Sequence, residues 1–299
     1  MLATVASAQV PRPAARPAAL TRADTAALHR QLDALSDAHH GVVGYAVVNL
    51  DTGERLGRRA DEPFPTASLI KVPIAVALMD QVALGQLSLE DRMTVLRIEK
   101  VPGAGILQFL HDGAEITVRD AAWLMLTISD NTATNLLLSR LEIRRVWEAM
   151  ERRGLARTKV HSKVFLRLAS VAMDSSVKYG LGVSTPNEMA QLFAMLADGK
   201  AVSPAADSVL MDMLDHNEDG QLLQRFVEGV RAPHKTGATD AVRTECALFH
   251  LESRVVACVF SRENVDQRWV LDSEPQQTLA AMGRTIVAAW PRRPAAASP

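Results

Sequence analysis

The stretch SLIKVPIAVALMDQVALG, residues 68–85, is apolar almost all the way round a helical wheel. A helix with no polar face has no side to offer to water, so other elements must enclose it. Pro73 is compatible with such a helix because it falls within the first turn or so, where a missing N–H costs nothing. The chain therefore needs enough structure to wrap a central helix. Its 299 residues correspond to one large domain or two modest ones, and can bury such a core without staples.

The wrapping elements are legible. Leu28, Leu32 and Leu35 mark a helix from Thr21 to His39. GVVGYAVVNL (41–50) is rich in β-branched residues and ends at the turn signal Asp51-Thr52-Gly53, which predicts a hairpin. Residues 115–141 read as two helices broken near Ser129. Thr117 caps the first, with Asp120 three residues on, and Asn131-Thr132 starts the second. Over 184–200, Thr185 is the N-cap, Pro186 the first helical residue, Glu188 the partner in a capping box and Gly199 the stop. A helical stretch over about 204–226, strands over about 234–261 and a helix over about 274–290 complete the chain.

Strands at both ends and helices in the middle predict an α+β fold rather than a βαβα alternation. The N-terminal hairpin and the C-terminal strands would close one antiparallel sheet. That gives an α/β lobe of residues 22–64 and about 211–290, a helical lobe of about 65–210, and a cleft between them as the place for a site.

Formal net charge is −1, from 33 basic and 34 acidic residues, which gives no electrostatic case for nucleic acid or an anionic membrane surface. No apolar run is long enough to span a bilayer. Residues 1–21 contain Ala6-Ser7-Ala8, similar to a small-residue cleavage site, but lack a basic start, so they read as a disordered leader or a truncated signal peptide. Residues 291–299 read as a disordered tail. Cys246 and Cys258 lie on two apolar runs flanking a turn near Glu252-Ser253. The favoured reading is two buried free thiols, with a cross-strand disulfide as the alternative. His29, His39, His40, His111, His161, His216 and His250 show no metal-ligand spacing, and no metal or organic cofactor is expected.

Three short motifs carry chemistry. Ser68-x-x-Lys71 puts a hydroxyl and an ammonium on one helix face, and a lysine in a dry place would be neutral enough to take the serine proton. Alone it is weak, since about one such match occurs by chance in a chain of this length. Ser129-Asp130-Asn131 sits at a helix break, either as an N-cap or as a hydroxyl and an amide facing the cleft. Lys235-Thr236-Gly237 opens a strand. It is either an ordinary glycine bulge or an anion-binding rim where the missing Cβ lets a substrate lie against the backbone.

In this order the three motifs resemble those of class A β-lactamases and penicillin-binding proteins. The flanks GILQFLHDGAEITVRDAAWLMLTISDNTATNLLL and GVSTPNEMAQLF are similar to that family too, and the resemblance covers about residues 25 to 290. It implies a β-lactamase/transpeptidase-like fold, with a five-stranded antiparallel sheet flanked by helices. It implies Ser68 as the acylated nucleophile, Lys71 as its proton acceptor and Ser129 as the proton donor to the leaving nitrogen. Asn131 would bond Lys71 and the substrate side chain, and Lys235 and Thr236 the substrate carboxylate, beside Gly237. The N–H groups of Ser68 and Ala238 would form the oxyanion hole. Arg243 lies one residue short of where many relatives carry a carboxylate-binding arginine. A monomer, periplasmic or secreted, is also implied.

One part of the family pattern is missing. Class A enzymes carry a loop glutamate, in Arg-x-Glu-x-x-x-Asn, that activates the deacylating water. Counting back from Thr185-Pro186 without gaps puts Ala169 at the glutamate and Met173 at the asparagine. From Arg152 to Asn187 the only carboxylate is Asp174. The expectation is a serine hydrolase that is acylated by β-lactams or related donors and turns over slowly. The alternatives are a D-alanyl-D-alanine peptidase or esterase of the same fold, and a non-hydrolysing penicillin-binding module.

Overall fold

The computed structural model describes residues 22–292; residues 1–21, expected as a leader, and most of the expected tail lie outside the described residues. Helix α1 (Arg22–Asp37) leads into β1 (Val42–Asn49) and β2 (Arg55–Arg58). Asn49 shapes the turn between these strands: its Oδ1 accepts the main-chain N–H of Asp51 (3.0 Å) and of Thr52 (3.1 Å). The short β3 (Phe64–Pro65) delivers the chain to a single 3-10 turn, Ala67–Ile70, which runs on into α2 (Lys71–Ala83). Next come the small hairpin β4 (Arg92–Val95) and β5 (Ala114–Thr117), and α3 (Val118–Thr127), α4 (Asn131–Leu141) and α5 (Ile143–Glu151). A loop framed by β6 (Lys159–Val160), α6 (Met173–Tyr179) and β7 (Gly182–Ser184) precedes α7 (Pro186–Ala197) and α8 (Pro204–Asp215). The chain ends in β8 (His234–Thr239), β9 (Val242–His250), β10 (Arg254–Arg262) and α9 (Glu274–Ala288).

The two ends of the chain meet in one antiparallel sheet of five strands, ordered β2-β1-β10-β9-β8. Both faces of its middle strands are covered, so they read as nearly continuous apolar runs. Val43, Tyr45 and Val47 pack with Leu28 and Leu32 of α1 and Leu279, Met282 and Ile286 of α9. The alternate residues Ala46, Val48, Val256 and Phe260 face the other way, into the larger core built around α2. Within α2, Val72, Ile74, Val76 and Leu78 are at most 1% exposed. The helices α3, α4, α5 and α8 lie against it. Each of these side chains contributes about 1.5–3 kcal/mol by leaving water.

Three expectations need correction. The helix placed over about 204–226 stops at Asp215. The chain beyond it is drawn away to the end of α3, where Asn217 Nδ2 donates to the Leu126 carbonyl (2.6 Å) and the Glu218 N–H to that of Thr127 (3.1 Å). The capping box at Thr185 is half formed. Thr185 Oγ1 accepts the Glu188 N–H (3.1 Å), but the Glu188 carboxylate turns to the Thr158 hydroxyl (2.6 Å) and the Arg157 N–H (3.0 Å). Finally, Cys246 and Cys258 are not free thiols. They are directly opposed in the β9–β10 register, which brings their Cα atoms to 4.1 Å, and they form a disulfide.

The disulfide joins residues 12 apart in sequence. Replacing both cysteines by alanine should lower the unfolding free energy by about 2–3 kcal/mol, the effect of releasing a closed loop of this length. Urea denaturation of the pair variant checks this, and an unmoved midpoint would refute it.

Candidate active site

Ser68 lies half-buried in the 3-10 turn that feeds α2, at the edge of a cavity of about 430 Å3. Asn131, Val164, Phe165, Ala238 and Thr239 also line this cavity. Three non-glycine residues around it have positive φ: Ala67 (44°), Ser129 (58°) and Phe165 (56°). Such conformations cost energy and persist only where the surroundings fix them. Here they re-aim the chain just before Ser68, at the α3–α4 break and at the loop wall.

The strand β8 closes in on the Ser68 turn. A Cβ on Gly237 would overlap the Thr66 carbonyl and stand 2.8 Å from the Leu69 main-chain nitrogen. The glycine is thus required by the approach of the strand to the serine's own turn, a reason distinct from the substrate clearance expected of it. Thr244 seals the junction by donating its hydroxyl to the Thr66 carbonyl (2.8 Å).

Lys71, on the first turn of α2, is fully buried. Its Nζ donates to Asn131 Oδ1 (2.9 Å), the Ser129 carbonyl (2.7 Å) and Ser129 Oγ (3.1 Å). Burial, reinforced by the positive charge of Lys235, holds its pKa well below the usual lysine value against the opposing pull of Asp130. The Ser129-Asp130-Asn131 stretch divides its work residue by residue, a cap at Asp130 and bonds to Lys71 on either side. Asp130 is the cap, accepting the Ala133 N–H through Oδ1 (2.8 Å) and those of Ile106 (2.7 Å) and Leu107 (2.9 Å) through Oδ2. Ser129 and Asn131, on either side, hold Lys71.

Lys235 is also fully buried, and its Nζ donates to the Thr236 carbonyl (3.0 Å). Burial lowers its pKa to about 8, opposed by Asp219 and Glu245. Glu245 stands opposite Thr236 in the β8–β9 register, and burial raises its pKa to about 8 although it accepts the Leu223 N–H (2.6 Å). Thr236 donates its hydroxyl to Asp219 Oδ2 (2.7 Å). Neither Asp219 nor Glu245 was singled out in the sequence. Glu245 had a signal, as a lone carboxylate in an apolar strand; Asp219 had none.

Arg243 is buried beneath the same hairpin, opposite Ala238 in register. Its guanidinium donates to the carbonyls of Thr239, Val242 (2.9 Å) and Arg268 (3.3 Å) and stacks on the Trp269 ring at 4.6 Å. Of these partners only Thr239 also lines the Ser68 cavity, and the guanidinium makes no hydrogen bond to Ser68, Lys71, Ser129 or Asn131.

The loop wall differs from the ungapped count. Ala169 is exposed in a 3-10 turn and lines a separate hollow with Ile98, Glu99 and Leu168. The loop residue fixed at the Ser68 cavity is Val164. Asn135, one turn after Asn131, clamps it by accepting its N–H (2.8 Å) and donating to its carbonyl (3.1 Å). Between Val164 and α6 the chain makes the 3-10 turn Arg167–Ala169, which carries Ala169 to the surface. Asp174 is exposed in the first turn of α6. No Asp or Glu lines the Ser68 cavity among the described residues.

The fold and this constellation define a protein of the β-lactamase/transpeptidase class. A model of the β-lactamase enzyme family, a family of hydrolases, matches residues 27–290, and the chain belongs to that family. It is 28% identical to β-lactamase L2 of Stenotrophomonas maltophilia over 219 residues, 69% of this chain and 67% of that protein. A 108-residue stretch is 37% identical to the β-lactamase regulatory protein BlaB of Streptomyces cacaoi, where the chain spans about a third (34%) of that protein's length. Among solved structures, a β-lactamase from Sphaerobacter thermophilus superposes with a TM-score of 0.77 at 27% identity, covering 90% of this chain and 98% of that one. PBP-A with a leucine-to-glutamate substitution, in an acyl-enzyme complex with penicillin G, gives 0.78 at 26% identity, covering 88% and 96%.

Glu245 yields a stability prediction. Its folded pKa of about 8 lies above the ordinary glutamate value of 4.5, so the stability it confers is complete below pH 4.5 and is lost as the pH rises through 8. Lys235, with its pKa lowered to about 8, acts in the window above that and in the opposite direction. Relative to wild type, Glu245→Gln should gain stability between pH 5 and pH 8.5 by on the order of a few kcal/mol. Denaturant titrations across that range read it, and parallel profiles for the two proteins would refute it.

Proposed function

We propose that this protein is a serine hydrolase that is acylated on Ser68 by β-lactams or related acyl donors and releases the acyl group slowly. The observation that carries this reading is the fully buried Lys71, held by both Ser129 and Asn131. A lysine whose burial disfavours its charged form can take the Ser68 proton as Oγ attacks the donor carbonyl. The C–O bond forms, the C–N bond of a lactam breaks, and Ser129, linked to Lys71, delivers a proton to the departing nitrogen. The N–H groups of Ser68 and Ala238, two residues that share the cavity, would hold the carbonyl oxygen as charge develops on it. Asn131 would meet the donor's side chain, and Lys235, Thr236 and Gly237 the wall where its acid end lies. Arg243 would have to leave its hairpin carbonyls to join them.

Slow release follows from the cavity lining. Val164 stands at the loop wall with no carboxylate beside it, so an attacking water has no strong base there. Loss of a general base costs about a hundred- to ten-thousand-fold in rate. The same feature keeps the D-alanyl-D-alanine peptidase or esterase reading as the second choice, since those reactions would use the same serine. The Cys246–Cys258 disulfide supports an oxidising compartment, periplasmic or extracellular.

Intact-protein mass followed in time after mixing with penicillin tests this. A covalent adduct should form, persist for minutes to hours and be absent from Ser68→Ala. Adduct formation should slow as the pH is lowered, with a half-point well below the usual lysine pKa, because only neutral Lys71 accepts the proton. Val164→Glu should shorten the adduct lifetime at least about tenfold by supplying the base. Rapid steady-state penicillin consumption by the wild type would overturn slow release, and an adduct on Ser68→Ala would overturn the nucleophile.

A further inference from the structure

We infer that Asp219 is a specificity residue: it weakens the site's preference for a free carboxylate at the Lys235–Thr236 end and so lets uncharged donors such as esters or amides compete. This rests on the acyl-enzyme reading of Ser68 and bears on its substrate class. Thr236 has one hydroxyl proton, and it is already donated to Asp219 Oδ2 at 2.7 Å. A donor carboxylate bound at Thr236 would compete for that proton. Both carboxylates would also lie within a hydrogen-bond length of the same oxygen, so they could stand no more than about 5.5 Å apart. Like charges at that spacing discriminate against an anion, whereas an ester carbonyl brings no charge and an amide N–H can donate to Asp219 itself.

Asp219 is held beside Thr236 by its own main chain and its neighbours. Its carbonyl faces His234 Nε2 at 3.0 Å on the sheet side. The two residues before it are tied to the end of α3, just ahead of Ser129, through Asn217 to Leu126 and Glu218 to Thr127. The residue between these anchors is exposed, and its carboxylate accepts the Thr236 hydroxyl. Among the described residues no cation is hydrogen-bonded to its carboxylate. Lys235 is buried and directed to the Thr236 carbonyl, and the Arg243 guanidinium is turned to Thr239, Val242 and Arg268. Glu245 lies behind Thr236, where burial keeps it protonated at neutral pH.

The test is the ratio of acylation rate constants for benzylpenicillin and its methyl ester, read by intact mass at pH 7 on wild type and Asp219→Asn. The wild type should favour the free acid by no more than about threefold, and Asp219→Asn should raise the acid-to-ester ratio by at least about tenfold. A merely structural role for Asp219 would change both rates together. A wild type that prefers the free acid by tenfold or more overturns the inference by itself, whether or not the variant folds. A ratio that Asp219→Asn leaves unmoved also overturns it. If neither compound labels Ser68, the acyl-enzyme reading fails, an outcome distinct from labelling with the wrong ratio.

Discussion

The burial of the Lys71 ammonium is the constraint on which the rest of the structure depends. A lysine in a dry interior must find acceptors, and α2 brings it to a place where three are offered, two of them from Ser129 and one from Asn131. That arrangement dictates the break between α3 and α4, because a continuous helix would have its carbonyls tied up within itself. Ser129 accordingly takes a positive φ, and Asp130 restores the lost helix bonds by capping α4 and gathering the 106–107 turn. The apolar jacket of α2 is the other half of this arrangement. It keeps water from solvating Lys71, and so disfavours the charged form of the lysine.

Much of this was legible in the sequence. The all-apolar helix, the strands at both ends and the helical middle gave the α+β architecture, because hydrophobic periodicity and burial are properties of local residue pattern. The motifs located Ser68, Lys71, Ser129, Asn131, Lys235 and Thr236 through their order along the chain. What stayed hidden was what depends on three-dimensional closure. The capping box at Thr185 looked complete because a glutamate was in place, yet Glu188 had a stronger attraction in Thr158 and Arg157, brought near only by the fold. The thiol reading of the two cysteines weighed residue preference and gave too little weight to register, which decides the matter once β9 and β10 are paired.

The loop wall illustrates the same limit at the site. An ungapped count measures distance along the chain, whereas a cavity is lined by whatever is held against it. Asn135 holds Val164 there through two main-chain bonds, and the residues after it make the 3-10 turn that carries Ala169 outward. Among the described residues no carboxylate lines this wall, whichever loop position a count along the chain selects.

Asp219 and Gly237 show how closely the two sides of the cleft are coupled. Gly237 lets β8 touch the turn that carries Ser68, so the rim of Lys235 and Thr236 has a fixed distance to the nucleophile. Asp219 reaches the same rim from a segment anchored on α3, beside Ser129. On the proposed reading, a substrate laid in the cleft meets a nucleophile, a proton relay and a charge filter whose relative positions are set by packing rather than by the ligand. Catalytic motifs of this kind fix the chemistry of bond exchange. Which donor is accepted is decided by neighbours such as Asp219, which lie outside the motifs and are placed there only by the fold.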